Sequence, residues 1–227
     1  LRRLLALQDR LDWVINERAM AYGDGVHPKH RLMRYHDFFV ERIPTGSRVL
    51  DIGCGYGAVA HSIATRVPGS IVVGVELDRK RLAQARAGEV PANLSFIEAD
   101  ARRDLPAGSW NVVLLSNILE HIEDRVGFLR DILRQAQPEK VLIRVPLFER
   151  DWKLLLCNEL GVNYFSDTEY FIKHLYDELR NELNSAGLLS AEVITLWGGK
   201  WVDCRPNNTD IKGHPKAVKF EFVKKEI

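Results

Sequence analysis

The sequence predicts an α/β fold: a seven-strand, mostly parallel sheet with helices on both faces. Three observations predict it. From Arg48 onward, short β-branched runs alternate with amphipathic helical stretches, the pattern produced by right-handed crossovers between parallel strands. The first such run ends in a glycine-rich turn that opens a helix, Gly53-Cys54-Gly55-Tyr56-Gly57. The length, 227 residues, suits one domain with a full core.

The elements follow in order. Leu4, Leu5, Leu7, Leu11, Val14 and Ile15 recur at helical spacing. Gly23-Asp24-Gly25 stops that helix, and Pro28 is placed to open a second one ending near Ile43-Pro44. Strands are expected at Arg48–Ile52, Ile71–Val75, Leu94–Glu98, Asn111–Leu115 and Lys140–Val145. Helices are expected between them at Ala58–Arg66, Arg79–Ala87 and Asp124–Gln137. Phe148–Ser166 has little periodicity and reads as a long binding connection. Phe171, Leu175, Leu179 and Leu183 then stack at four-residue steps in a helix that Gly187 ends. Two strand-like runs close the sheet, Ala191–Trp197 and Ala217–Val223, separated by Gly198-Gly199 and the polar stretch Pro206–Pro215. The expected organisation is a single domain over 1–227, with an amino-terminal helical arm (1–44), a core (45–146) and a substrate-side segment (147–227).

Composition narrows the function. Lys and Arg number 32 against 31 Asp and Glu, a net charge of +1, so no general field draws the chain onto nucleic acid or an anionic membrane. No apolar run reaches the roughly 18 residues of a membrane helix. Cys54, Cys157 and Cys204 form neither a zinc spacing nor a disulfide framework, which suits a reducing cytoplasm. The first residue is Leu1, which reads as a trimmed start.

The glycine turn carries the chemistry. Glycine lets the backbone turn tightly and come close to a ligand. Gly53, Gly55 and Ala58 also satisfy the loose fingerprint of a nicotinamide dinucleotide site. Electrostatics separates the two ligands. A dinucleotide sets its pyrophosphate against this turn, where Asp51 would repel it. A ligand carrying an ammonium and a sulfonium gains from the same carboxylate, and S-adenosylmethionine is such a ligand. Glu76 closes the second strand, placed to accept from ribose hydroxyls. Asp100 follows the third strand, placed to accept from an adenine amino group. Ligands of open α/β sheets bind at that carboxyl edge.

These residues resemble a class I S-adenosylmethionine-dependent methyltransferase. Asp51-x-Gly53-x-Gly55-x-Gly57 is similar to the family's first motif, Glu76 to its ribose-binding acid and Asp100 to its adenine-side acid. Ser116-Asn117-Ile118-Leu119-Glu120-His121 resembles the segment after its fourth strand. The resemblance covers about residues 45–146. It implies a Rossmann-like sheet whose last strand runs antiparallel between the fifth and sixth. It implies S-adenosyl-L-methionine as cofactor and S-adenosyl-L-homocysteine as product. Asp51, Gly53, Cys54, Gly55 and Gly57 would surround the methionine part, with Glu76 and Leu77 at the ribose. Asp100 and Ala101 would meet the adenine edge, and Ser116 and Asn117 would line the floor. Gln137-Pro138-Glu139-Lys140 departs from the family's Pro-Gly-Gly, at a turn away from the site.

Transfer to an acceptor hydroxyl calls for a base, and histidine has the suitable intrinsic pKa. His121, beside Glu120, is the expected catalytic residue at the opening of the helix after the fourth strand. His27, His30 and His36 match no common metal spacing, so no metal is expected. The arm residues Tyr22, Lys29, His30, Arg31 and Arg34 are placed to meet the donor's carboxylate or an acidic acceptor. Trp152, Tyr164 and Trp197 are expected contacts, and their aromatic character suits a sugar or a ring. The expected acceptor is a small molecule, a sugar or cell-surface polysaccharide precursor methylated on oxygen or nitrogen. Nucleic acid is not an expected partner, because the chain lacks a basic stripe. An NAD(P)-dependent oxidoreductase and a non-catalytic donor-binding module stay open as other readings.

Overall fold

A computed structural model describes residues 1–23, 27–148, 151–162, 176–196 and 198–207. The amino-terminal arm comprises α1 (Arg2–Tyr22), α2 (Lys29–Met33) and α3 (His36–Val40). The core follows as β1 (Arg48–Ile52), α4 (Ala58–Arg66), β2 (Ile71–Glu76), α5 (Arg79–Ala85), β3 (Leu94–Glu98) and β4 (Val112–Ser116). A one-turn 3₁₀ helix, Leu119–His121, precedes α6 (Arg125–Ala136) and β5 (Lys140–Pro146). The last of the described elements are α7 (Trp152–Glu159), α8 (Tyr176–Ala186), β6 (Leu188–Leu196) and β7 (Gly199–Pro206).

The seven strands lie in the order β3-β2-β1-β4-β5-β7-β6. β1 pairs in parallel with both β2 and β4, and β7 runs antiparallel to β5 and β6. The order reverses between β1 and β4, so the loops leaving these two strands diverge to opposite faces and open a crevice there. Successive residues of β4 show that both faces are covered. Val113 and Leu115 join a core cluster with α6 and α8, whereas Val112 and Leu114 join a second cluster with α3, α4 and α5.

Local signals account for the element ends. Asp78 caps α5 by accepting from the Lys80 and Arg81 amides, and Asp124 caps α6 through the Gly127 amide. Four expectations are corrected. The helix expected from Pro28 to Ile43 is two helices, because Arg34 takes a left-handed φ of 48° and turns the chain. Phe148–Ser166 contains α7, capped by Asp151 accepting from the Lys153 amide at 3.0 Å. His121 ends the 3₁₀ turn rather than opening α6, whose capping residue is Asp124. The run after Gly198, expected as connection, is the strand Gly199–Pro206, which pairs antiparallel with β6. Its charged residues disguise it: Asp203 is buried and neutralised by Lys140 Nζ at 2.9 Å. Ala217–Val223, Phe171 and Leu175 lie outside the described residues.

Candidate active site

The β1 exit builds the first wall. Asp51 is 1 % exposed, and the Gly53 and Cys54 amides donate to the Val75 carbonyl at 2.7 and 3.0 Å. All three glycines have left-handed φ, and their surroundings differ. A Cβ at Gly53 would strike Ile118, and one at Gly57 would strike the Phe96 ring, 2.6 Å from Cζ. A Cβ at Gly55 would meet nothing within 4 Å. Gly55 is therefore where the loop backbone is bared toward open space.

Glu76 ties the loop to β2. Its Oε2 accepts from the Gly55 amide at 2.9 Å, and its Oε1 accepts from the Leu77 and Asp78 amides at 2.9 and 2.8 Å. Burial and the neighbouring Glu76 charge push the Asp51 carboxyl up to about 7. Asp51 Oδ2 is buried with no hydrogen-bond partner. A buried carboxylate oxygen left unsatisfied is costly unless a ligand supplies the donor or the positive charge. That orphaned oxygen beside a bared backbone fits the ammonium and sulfonium of S-adenosylmethionine, and does not fit a pyrophosphate. Burial also raises the Cys54 thiol, with Asp51 and Glu76 adding to the effect, so it stays protonated.

A cleft of about 490 Å³ runs from this loop along the strand ends, within the usual size of a small-molecule site. Of the expected donor contacts, Gly53, Glu76, Leu77, Asp100, Ala101 and Asn117 line it. Asp51, Cys54, Gly55, Gly57 and Ser116 lie around the β1 and β4 exits beside it. Asp100 is held by Arg102, which donates from Nε to Oδ1 and from Nη2 to Oδ2, both at 2.8 Å. Hydrogen bonding to Arg102 holds the Asp100 carboxyl below its ordinary value. His121 lines the cleft, whereas Glu120, 0 % exposed, is not among the residues that line it.

Next to Asn117 lies a polar cluster. Arg144 Nη1 donates to Asn117 Oδ1 at 2.9 Å, and the Arg144 guanidinium stacks on Tyr35 and Trp201 at 4.9 and 4.8 Å. The Tyr35 hydroxyl and His36 Nε2 reach His30 Nδ1 at 2.9 and 2.8 Å, and His36 Nδ1 meets Ser62 Oγ at 2.6 Å. Burial, with Lys29 next, lowers His30 to about 4, and burial, with His30 next, lowers His36 to about 4. Both rings are neutral at pH 7.

The other expected contacts lie apart from this group. Tyr22 is 79 % exposed at the end of α1. Arg34 points to solvent and pairs with Asp37 at 2.8 Å. Trp152 is 67 % exposed at the start of α7. Tyr164 and Trp197 lie outside the described residues. Sequence reading missed Ile118, Ile122 and Phe128, the apolar cleft wall, and Arg81 and Arg102 at its rim. It also missed Tyr35 and Arg144. Arg144 had a signal, as the one charge inside the apolar run Val141–Val145.

Comparisons with known proteins identify the family. Residues 50–143 match the family described as "Methyltransferase domain". A ubiquinone biosynthesis O-methyltransferase of Pseudomonas aeruginosa is 31% identical over 163 residues, covering 66% of this chain and 68% of that protein. A protein of the same name from Hahella chejuensis is 34% identical over 136 residues, covering 56% of this chain and 55% of the relative. Matches to two Vibrionaceae relatives of that name span only 41% and 40% of their length. Among solved structures, a SAM dependent methyltransferase from Aquifex aeolicus superposes with a TM-score of 0.61 at 16% identity, over 78% of this chain and 92% of the other. Magnesium protoporphyrin IX methyltransferase from Synechocystis, solved with SAH bound, gives a TM-score of 0.59 at 17% identity, over 77% and 83%. With its glycine turn, its orphaned Asp51 oxygen and these relatives, the chain belongs to the class I S-adenosylmethionine-dependent methyltransferases.

Proposed function

We propose that this methyltransferase acts on an oxygen of a small acceptor, with His121 removing the hydroxyl proton. The observation that carries the proposal is the meeting of the cleft, where His121 lies, with the Tyr35–His30–Arg144 cluster at Asn117. When bound, S-adenosylmethionine supplies a methyl group on a positively charged sulfur. Asp51 offers a carboxylate to that positive charge, and Glu76 holds the glycine loop while offering its remaining lone pairs to ribose hydroxyls. Asp100 and Ala101 meet the adenine edge, with Ile118, Ile122 and Phe128 as the apolar wall that excludes water. His121 takes the acceptor's proton, and the Arg144 charge favours an oxygen that is becoming negative. The relatives' printed names, which specify O-methyltransferases, support oxygen as the accepting atom. The saccharide expected from the aromatic residues draws little support from the described part of the chain, where Trp152 lies at the surface.

The test uses methyl-labelled donor and a fractionated small-molecule extract, with the labelled product identified by NMR. An O-methyl product, lost in His121→Ala while S-adenosylhomocysteine binding is retained, supports the proposal. A labelled N-methyl or C-methyl product, or a His121→Ala variant of unchanged turnover, overturns it.

A further inference from the structure

α1 stands out from the rest of the fold. It is 21 residues long and buries none of them, although it spans about 32 Å. Leu4, Leu7, Leu11 and Val14 form one stripe at alternating steps of three and four residues, and they are 44–66 % exposed. The partly sheltered residues of α1, Leu5, Asp9, Ala19 and Met20, lie on the opposite side. Asn16, also on that side, meets His27 Nε2 at 3.1 Å. The stripe therefore faces solvent, on the side of the helix away from its few sheltered residues. An amphipathic helix gains most of its stability from packing that stripe, so the face calls for a cover.

We propose that the cover is α1 of a second copy of this chain, packed antiparallel about a two-fold axis between Leu7 and Leu11. Written as heptads, Leu4 and Leu11 fall at a, and Leu7 and Val14 at d. An antiparallel pair then layers Leu4 on Val14 and Leu7 on Leu11 of the other copy, twice each by symmetry. On one flank Leu1 meets Ile15. On the other flank Arg3 meets Glu17, again twice, against a single Arg10–Arg10 contact at the axis. A parallel pair would set Arg3 against Gln8 and Glu17 against Tyr22, and would form no such ion pair. Charge complementarity thus selects both the partner and its direction. A lipid surface fits less well, because Asp9, Asp12 and Glu17 offset the four arginines of the helix. The proposal is independent of the reaction assigned to the cleft.

Sedimentation equilibrium on the full chain across the micromolar range tests it, with S-adenosylhomocysteine binding confirming a folded core in every variant. The expected result is a reversible dimer that Leu7→Asp with Leu11→Asp abolishes. Arg3→Glu alone and Glu17→Arg alone each weaken it about tenfold, and together restore it to within about threefold. A monomer at all concentrations overturns the proposal, whether α1 is covered within its own chain by hydrogen exchange or binds anionic vesicles. A dimer that survives the Leu7 and Leu11 changes, or a double charge swap that fails to restore, overturns it equally.

Discussion

The Gly55 amide donates to Glu76 Oε2 at 2.9 Å, so the bared point of the glycine loop and the acid at the end of β2 form one structure. Glu76 holds three backbone amides in all. A carboxylate that is already fixed by amides loses little freedom when a ligand arrives. The loop and the β2 end are thereby tied together before any ligand arrives.

The three glycines of the loop are expected to respond differently to alanine. At Gly55 the added methyl meets no protein atom, and only the left-handed φ of 58° is strained. Gly55→Ala should cost about 1 kcal/mol of stability, yet weaken S-adenosylhomocysteine at least tenfold, because the methyl enters ligand space. Gly57→Ala combines a φ of 77° with a clash on Phe96 and should cost about 2–4 kcal/mol. Denaturant unfolding and calorimetric titration of the two variants measure both effects.

Asp51 should link donor binding to pH. Its folded carboxyl lies near 7, raised by burial and then by Glu76, well above the ordinary value near 3.9. Between about pH 4 and 7 the folded, ligand-free protein keeps a proton that the unfolded chain has lost, so stability falls as pH rises through this window. A cationic ligand favours the carboxylate, so affinity rises with pH up to about 7 and then levels. Asp51→Asn should stabilise the ligand-free protein by about 1–3 kcal/mol at pH 8, while donor affinity drops and its pH dependence disappears. Proton release measured by calorimetry in buffers of different ionisation enthalpy checks the linkage.

Much of this was legible in the residues, for identifiable reasons. β1 and β2 are apolar runs buried in a parallel sheet, which leaves a continuous signature. The edge strand β3 alternates, with Leu94 and Phe96 turned inward, and the acids at the strand ends follow from the edge rule for such sheets. β7 escaped because Lys200, Asp203 and Arg205 interrupt its pattern, and the Lys140–Asp203 pair that permits a buried charge joins residues far apart in sequence. The break at Arg34 escaped because a left-handed arginine has no local signal. The His30–Tyr35–His36 contacts depend on that break, and the stack of Tyr35, Phe38 and Phe39 on Trp201 joins the arm to β7. No spacing rule anticipates it. Asp100 lines the cleft, whereas its pairing with Arg102 depends on turn geometry that no spacing rule gives.

The histidine pair should make the fold acid-sensitive. His30 and His36 lie near 4, lowered by burial, against an ordinary 6.5. Lys29 and His27 beside α2, Arg144 from β5 and Arg66 from α4 all oppose their protonation, and Asp37 favours that of His36. Their contribution is fully present above pH 6.5 and is lost as pH falls toward 4. With His30 only half-buried and its ring coupled to His36, the loss is discounted to about 1–2 kcal/mol. In an Asp51→Asn background, which removes the opposing carboxylate, thermal melts from pH 7 to 5 should show a falling Tm, and adding His30→Gln with His36→Gln should flatten that slope.

Arg102 occupies the lone pairs that Asp100 would offer to an adenine amino group, through two bonds of 2.8 Å. The Arg102 side chain is more than half exposed, so breaking this pair costs little, about 1 kcal/mol or less. The adenine can thus displace the guanidinium from one oxygen without a large penalty. Arg102→Ala should leave S-adenosylhomocysteine affinity within about threefold of the parent, or raise it, because the competitor is gone. Asp100→Ala should weaken it about tenfold, as expected for a lost charged hydrogen bond. If Arg102→Ala instead weakens the ligand as much as Asp100→Ala does, the guanidinium is itself a donor contact, and the pair acts as one unit. Calorimetry on the two single variants and the double variant separates these outcomes, since a shared role appears as non-additivity.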